Sequence, residues 1–393
     1  MPLRPLPEGF QDPPALPLRS GLISDLDANV ATVLCGGGAE AGRNDPFDPF
    51  RIPSIRGHLR FWWRATRGGA CADAVELRKV EAQIWGDTER ASPVKFRILN
   101  AKPGVEKRAA QPRPDGRGWD DEQPRYVLFP AQENRREMGY IYAGGSFHLE
   151  VRAPESLIAD VESALWAWFA FGGIGGRTRR GCGSLYCKTY AHTWKPESVL
   201  GDGQARDWPV LRGGAVVMGS KKSPWANCWQ ECIDMLQTFR QDRPRPRARS
   251  KWPEPDEIRR IRQTHASNHA PVNPGSGFPR ASLGLPIIFH FKTPGDPEQN
   301  TLNVVDADEM ELRMASPVIV KPFAVSATEA VPLLLVFKTR PIEESLNRMP
   351  GTRLVLKQKR GSTEDISPPD PVPVFHRLVE FAKTAWQGEE YPL

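Results

Sequence analysis

The stretch Phe171-Gly-Gly-Ile-Gly-Gly-Arg-Thr-Arg-Arg-Gly-Cys-Gly183 constrains this chain most, with six glycines and three arginines in 13 residues. It follows a helical pattern over Glu155–Phe171, where Leu157, Ile158, Val161, Leu165 and Trp168 share one face. It runs into a strand pattern over Ser184–Tyr190. Glycines let backbone N–H groups approach an anion, and arginine adds charge and a planar donor fork. A dinucleotide fingerprint follows a strand and opens a helix, whereas this loop does the reverse, and no GxxxxGK[ST] occurs to form an NTP-hydrolysing P-loop. The loop reads either as a plain helix-to-strand turn or as a phosphate-binding element. Gly172, Gly173, Ile174, Gly175, Gly176, Arg177, Arg179 and Arg180 are its candidate RNA contacts. The three arginines favour that second reading.

A second arginine cluster surrounds Ser54. Arg51-Ile-Pro-Ser-Ile-Arg-Gly-His-Leu-Arg-Phe-Trp-Trp-Arg-Ala-Thr-Arg67 has five arginines and no acid. Ser54 is a good N-cap for a helix over Ile55–Arg67 stopped by Gly68-Gly69. On that helix Arg56, Arg60, Arg64 and Arg67 fall on one face, where like charges repel. The face reads as a phosphate contact, with Arg51, Arg56, His58, Arg60 and Arg64 as candidates, or as arginines paired with acids elsewhere. Two further basic features are the extended Arg243-Pro-Arg-Pro-Arg-Ala-Arg-Ser-Lys251 and Arg280.

The pattern over about 25–195 is β–α–β–β–α–β, the order of a ferredoxin-like or RRM-like unit. Its pieces are Asn29–Leu34, the Arg helix, a helix at Ala74–Trp85, strands at Val94–Leu99, Tyr126–Phe129 and Ser146–Val151, then the helix and strand flanking the glycine loop. Lys102–Gln123 reads as a polar loop. After a composition break near Lys195–Arg212 a strand at Gly214–Met218 restarts the chain, and Ser223 and Pro224 open a helix to about Arg240. Strands follow at Leu283–Phe291, Glu311–Val320 and Val331–Phe337, with a last helix near Val374–Trp386. The expected fold class is α+β, with two ferredoxin-like (RRM-like) domains in tandem and long insertions. The expected segments are a Pro-rich arm at 1–24, a first domain at 25–200 and a second at 205–393 carrying the Arg-Pro insert.

Composition narrows the function classes. The 393 residues carry a formal net charge of +6, and 38 of the 53 basic residues are Arg. A polyanionic partner fits that balance, although a GC-rich genome also raises Arg over Lys. No run of 18 apolar residues exists to span a membrane, and the Pro-rich start lacks a secretory h-region. The six cysteines form no CxxC and no zinc spacing, so reduced cytosolic thiols and a cytoplasmic location are expected. His265 and His269 lack a third ligand, and Asp120-Asp121 and Asp306/Asp308 sit in polar loops, so no metal or cofactor is expected.

The glycine loop after the second helix of a ferredoxin-like unit resembles the RAMP superfamily of CRISPR-associated RNA-binding proteins. Four motifs in order, Arg51–Arg64, Glu81-Ala-Gln-Ile-Trp-Gly86, Gly172–Gly183 and Phe278-Pro-Arg-Ala-Ser-Leu-Gly-Leu-Pro286, are similar to the family of first Cmr subunits of type III-B CRISPR effectors. Met314-Ala-Ser-Pro-Val-Ile-Val320 extends the likeness. The resemblance implies a non-catalytic subunit at the crRNA 3′ end of a ribonucleoprotein. Its implied partners are crRNA, target single-stranded RNA, the sixth Cmr subunit and the backbone RAMP subunits, and it would help capture target RNA in antiviral defence. The alternative is a metal-independent RAMP endoribonuclease that processes precursor crRNA, with His58 as acid or base and Arg60 or Arg64 stabilising the transition state. Neighbouring cations should depress His58, and no Tyr or Lys stands beside it, so binding is the favoured expectation.

Overall fold

The computed structural model describes residues 21–36, 44–45, 47–109, 111–112, 119–120, 124–128, 140–191, 193–243, 249–272, 277–370 and 372–393. The first twenty residues of the Pro-rich arm, the core of the Arg-Pro insert and parts of the 102–123 segment lie outside them.

The first half runs β1 (Gly21–Val30), α1 (Ile52–Ala65), α2 (Ala74–Trp85), β2 (Lys95–Lys102), β3 (Val105–Arg108), β4 (Gln111–Pro112), β5 (Trp119–Asp120), α3 (Arg125–Leu128), β6 (Tyr140–Ala143), β7 (Ser146–Ala153), α4 (Ile158–Phe171) and β8 (Leu185–Cys187). Its main sheet has the order β2-β7-β1-β8, antiparallel throughout. Along β7, Phe147, Leu149, Val151 and Ala153 alternate into the core, as the period of 2 requires.

The second half runs β9 (Val210–Met218), β10 (Ser223–Pro224), α5 (Trp225–Gln241), α6 (Glu254–Arg262), β11 (Ile287–Phe289), β12 (Asn300–Val305), β13 (Glu311–Leu312), β14 (Val318–Ala324), β15 (Glu329–Lys338), α7 (Ile342–Asn347), β16 (Arg353–Gln358), β17 (Thr363–Asp365), α8 (Val372–Trp386) and β18 (Glu389–Tyr391). In its main sheet β14 pairs with β15, β15 with β9 and β9 with β18. With α5 after β9 and α8 before β18, the β–α–β–β–α–β order of the first half recurs. A separate sheet, β11-β12-β16-β17 with β13 on β12, is inserted around it.

The two halves share a core. Ile319, Phe323, Leu333, Leu335 and Phe337 of the second sheet join one buried cluster with Trp62, Trp63, Trp166, Trp168 and Phe171 of α1 and α4. The opposite face of that sheet, with Val318, Val320, Leu334 and Val336, packs on α5 and α8. The layers are therefore sheet, helices, sheet, helices. Strand β14 is buried on both faces, which explains its nearly continuous apolar run. Helix α4 lies between two sheets and is buried almost all round, so its apolar surface is wider than the one face read from the sequence.

Several local expectations are corrected. Helix α1 begins at Ile52 with Arg51 at its N-cap, because Pro53 fits the first turn, where its missing N–H has no partner to lose. Tyr126–Leu128 is helical, not a strand. Part of the 102–123 segment pairs, β3 with β6. Ser223 and Pro224 pair with β15, and α5 starts at Trp225. The expected strand at 283–291 is short because Pro279–Leu283 forms a 3-10 turn. The expected strand at 311–320 is interrupted between β13 and β14. Helix α6 was not expected. Its acidic first turn and basic last turn are the charge pattern that complements a helix dipole.

Candidate nucleic-acid interface

Helices α1 and α4 run antiparallel over the first sheet. Asp160, at the start of α4, accepts from Trp63 Nε1 (2.7 Å) and Arg67 Nε (3.1 Å) at the end of α1. Nearer the end of α4, Trp168 stacks on His58, with ring centres 6.3 Å apart. The start of α1 and the glycine loop after α4 thus occupy the same end of the helix layer, although they are more than 100 residues apart in sequence.

The arginine face of α1 is largely neutralised. Arg60 Nε donates to Glu81 Oε1 at 2.6 Å, and Arg64 Nε lies 3.8 Å from the same oxygen. Arg67 pairs with Asp160, and Arg51 Nη1 is 3.8 Å from Asp45. The acids missing from the helix come from α2, α4 and the preceding loop. Arg56 differs: it has no carboxylate partner among the described residues, and its Nε is buried without a hydrogen-bond partner. Its guanidinium lies over the Phe96 ring at 5.8 Å. His58 is held against Trp168, and burial lowers its pKa. Desolvation, rather than the neighbouring cations, is the cause.

The glycine loop is a strut on one side and exposed on the other. Ile174 N donates to Gly183 O (2.9 Å) and Gly176 N to Cys35 O (2.8 Å), closing the loop on itself and on the segment after β1. Gly175 has φ +81°, and Gly183 has φ +60° with the Ile174 carbonyl 1.9 Å from where a Cβ would stand. Both positions therefore favour glycine. Ile174 is buried, while Gly175 and Gly176 are exposed. The arginines do not project freely. Arg177 Nε donates to Val127 O at 3.0 Å. Arg179 donates to Ser316 O and lies 5.6 Å from the Phe61 ring. Arg180 Nη1 donates to Val318 O at 2.6 Å. Burial lowers all three pKa values, that of Arg180 to about 9, so it stays charged at neutral pH.

Arg280 is also internal. It forms an ion pair with Glu254 (3.0 Å) at the start of α6, donates to Arg240 O (2.8 Å), and lies between the Trp252 and Phe289 rings. Its role is packing α6 against α5. His269 Nδ1 donates to Asp296 Oδ2 (2.6 Å) beside Arg259, a charge network rather than a ligand set.

Sequence reasoning missed Lys321. Its Nζ is fully buried and donates to Ala170 O (3.1 Å) and Gly172 O (2.8 Å), with Phe169 O at 3.4 Å. It alternates with Ile319 and Phe323 toward α4, so a lysine of the second half caps the carbonyl end of the helix that leads into the glycine loop. The signal was one lysine in an otherwise apolar run, Val318-Ile-Val-Lys-Pro-Phe-Ala324. The motifs singled out from the sequence also meet one another. Arg60 pairs with Glu81, Arg179 and Arg180 bind Ser316 and Val318, and Leu285 bridges to Met314.

A loop of this kind closing a β–α–β–β–α–β unit defines a class, and the RAMP superfamily model matches residues 29–186. Among individual proteins, Cmr subunit Cmr1-1 of Pyrococcus furiosus is 31% identical over 140 residues, which is 34% of this chain and 39% of that subunit. Cmr1-2 of the same organism is 31% identical over 182 residues, 41% of this chain and 92% of that subunit. The chain belongs to the Cmr1 family of CRISPR Cmr subunits. Its match covers less than half of the first relative and nearly all of the second. Among solved structures, apo Cmr1 of P. furiosus aligns with a TM-score of 0.48 at 16% identity, covering 93% of this chain and 97% of that one. A chain of the type III-B Cmr-beta complex bound to cognate target RNA and AMPPnP aligns at 0.47 and 10% identity, covering 92% and 99%. Among the described residues no helix is long and apolar enough to cross a membrane, and all six cysteines are buried free thiols.

Proposed function

We propose that this chain is a non-catalytic RNA-binding subunit of a type III-B Cmr ribonucleoprotein, built from two tandem ferredoxin-like domains. In this reading it sits at the crRNA 3′ end, beside the sixth Cmr subunit and the backbone RAMP subunits, and helps capture target RNA. The observation that carries the reading is Arg56. It is the member of the arginine face left without an acid among the described residues, at the same end of the helix layer as the exposed Gly175-Gly176 backbone. An arginine whose guanidinium fork lacks a carboxylate is suited to a phosphate. Arg60 and Arg64 position the helix against Glu81, and Arg177, Arg179 and Arg180 position the loop. The non-catalytic part is supported by His58, which burial holds toward its neutral form and which stacks on Trp168.

The test is binding of single-stranded RNA to the isolated chain and to the assembled complex across a salt series. Affinity should fall with salt, by about 0.7 log units per log unit of salt for each neutralised phosphate. Arg56→Ala should weaken binding about tenfold, the worth of one charge-assisted hydrogen bond. His58→Ala should leave any trace RNA cleavage unchanged. A flat salt series with equal affinity for wild type and Arg56→Ala contradicts the binding reading. Cleavage lost in His58→Ala contradicts the non-catalytic one.

A further inference from the structure

The open face of the first sheet, opposite α1 and α4, carries a cluster that the RNA reading does not use. Strands β1 and β7 pair so that Asp25 faces Glu150 and Asp27 faces His148. All four side chains fall on the same face, since each strand contributes residues two apart. His148 Nε2 is 2.5 Å from Asp25 Oδ1, and Nδ1 is 2.9 Å from Asp27 Oδ1. One ligand atom from each of Asp25, His148 and Glu150 lies within 4.8 Å of the other two. We propose that Asp25, His148 and Glu150 form a binding site for one divalent first-row transition ion, with Asp27 orienting the imidazole.

The chemistry follows from the donor set. An imidazole nitrogen favours Zn²⁺ or Co²⁺ over Mg²⁺ and Ca²⁺, which take oxygen ligands. In a tetrahedral site with bonds of about 2.1 Å, ligand atoms stand about 3.4 Å apart. An ion between them would widen the His148–Asp25 contact from 2.5 Å and draw the set in from its 4.8 Å limit, through rotation of the exposed Asp25 and half-buried Glu150 carboxylates. Three protein ligands leave a fourth position for water. Asp27 accepts the Nδ1 proton, which fixes the tautomer that presents Nε2 to the metal, the usual orienting arrangement around a metal-bound histidine. Without metal, that nitrogen holds a proton shared with Asp25. Metal uptake displaces that proton to solvent. The cations facing the cluster are peripheral. Arg97 lies 4.0 Å from Glu150 with most of its side chain exposed, and Lys95 and Arg152 line a shallow groove of about 230 Å³ that includes Glu150.

The experiment is calorimetric titration of tag-free, chelator-stripped protein with Zn²⁺ at pH 7.5 in excess Mg²⁺, repeated with Co²⁺ under visible absorption. One equivalent of Zn²⁺ is expected. Binding should weaken at least about tenfold in Glu150→Gln and in Asp27→Asn, and be lost in His148→Ala. Asp27 is exposed, whereas His148 and Glu150 are half-buried, so a thermal melt of each variant without metal separates lost folding from lost binding. Zn²⁺ should raise the melting temperature of the wild type and not that of His148→Ala. The Co²⁺ spectrum should lack a thiolate charge-transfer band. Three outcomes overturn the site: no stoichiometric Zn²⁺ binding, binding unchanged in His148→Ala, or a thiolate band that places the ion on cysteine. None of these bears on RNA affinity, so the site fails or stands independently of the proposed function.

Discussion

A single residue joins the two halves at the most demanding point. Among the described residues Lys321 has no acid partner; helix carbonyls take its ammonium. A buried charge is expensive unless hydrogen-bonded, and the carbonyl end of α4 supplies the bonds. Burial nevertheless pulls its pKa down to about 7, from 10.5 in an exposed lysine. Below pH 7 both folded and unfolded chains hold the proton, and the burial penalty is fully present. Between about 7 and 10.5 the unfolded chain binds more protons than the folded one, so this residue makes stability rise with pH. Lys321→Met keeps the volume and removes the titration. The melting temperature of Lys321→Met minus that of wild type should therefore fall as pH goes from 7 to 10. A difference that stays constant over that range, or grows, contradicts this account of Lys321.

Among elements, the glycine loop matters most, and its arginines have a different part from the one the sequence suggested. An arginine on an exposed face contributes little to folding. Arg180 instead donates to the Val318 carbonyl of β14. Arg180→Ala would leave that carbonyl without its donor, a loss of about 1–3 kcal/mol. Arg56→Ala should change stability by less than about 0.5 kcal/mol, because among the described residues it makes no ion pair, its buried Nε makes no hydrogen bond, and its contact is with a ring face. Urea unfolding of the two variants separates these values, and equal destabilisation would remove the distinction between strut and phosphate ligand. RNA binding by Arg179→Ala or Arg180→Ala is therefore informative only alongside their stability.

For the whole molecule, the sheet–helix–sheet–helix layering ties the halves into one cooperative unit. Phe61 and Trp62 of α1 pack on Phe337 of β15, with ring centres 5.8 Å apart in both pairs. A boundary near 200–205 separates two sequence patterns but passes through one core. Calorimetric unfolding of the intact chain should show a single transition for both main sheets. Residues 205–393 expressed alone should expose Ile319, Phe323, Leu333, Leu335 and Phe337 and aggregate. Two resolved transitions, with a soluble folded second half, would mean the shared cluster contributes little.

Local signals in the sequence determined the elements whose residues depend on near neighbours. Helix α2 has the bounds expected from its sequence, Ala74–Trp85, and the structure shows the local reason: Asp73 caps its start and Gly86 ends it. The helix, glycine loop and strand that carry the family likeness were legible in order but not in extent: α4 starts at Ile158 after a 3-10 turn, and the strand expected over 184–190 is only Leu185–Cys187. What failed depends on distant partners. Tyr126–Leu128 has β-prone residues yet forms a turn of helix, with Val127 and Leu128 filling a cluster with Cys182, Trp229 and Ile233. Charge pairing was also beyond the sequence. Nothing in the run from Arg51 to Arg67 shows that Glu81 and Asp160 will meet it, nor that Arg179, Arg180 and Arg280 turn inward. Periodicity fixes which face a residue occupies; only the packing of one element on another decides whether that face meets solvent, an acid or a carbonyl.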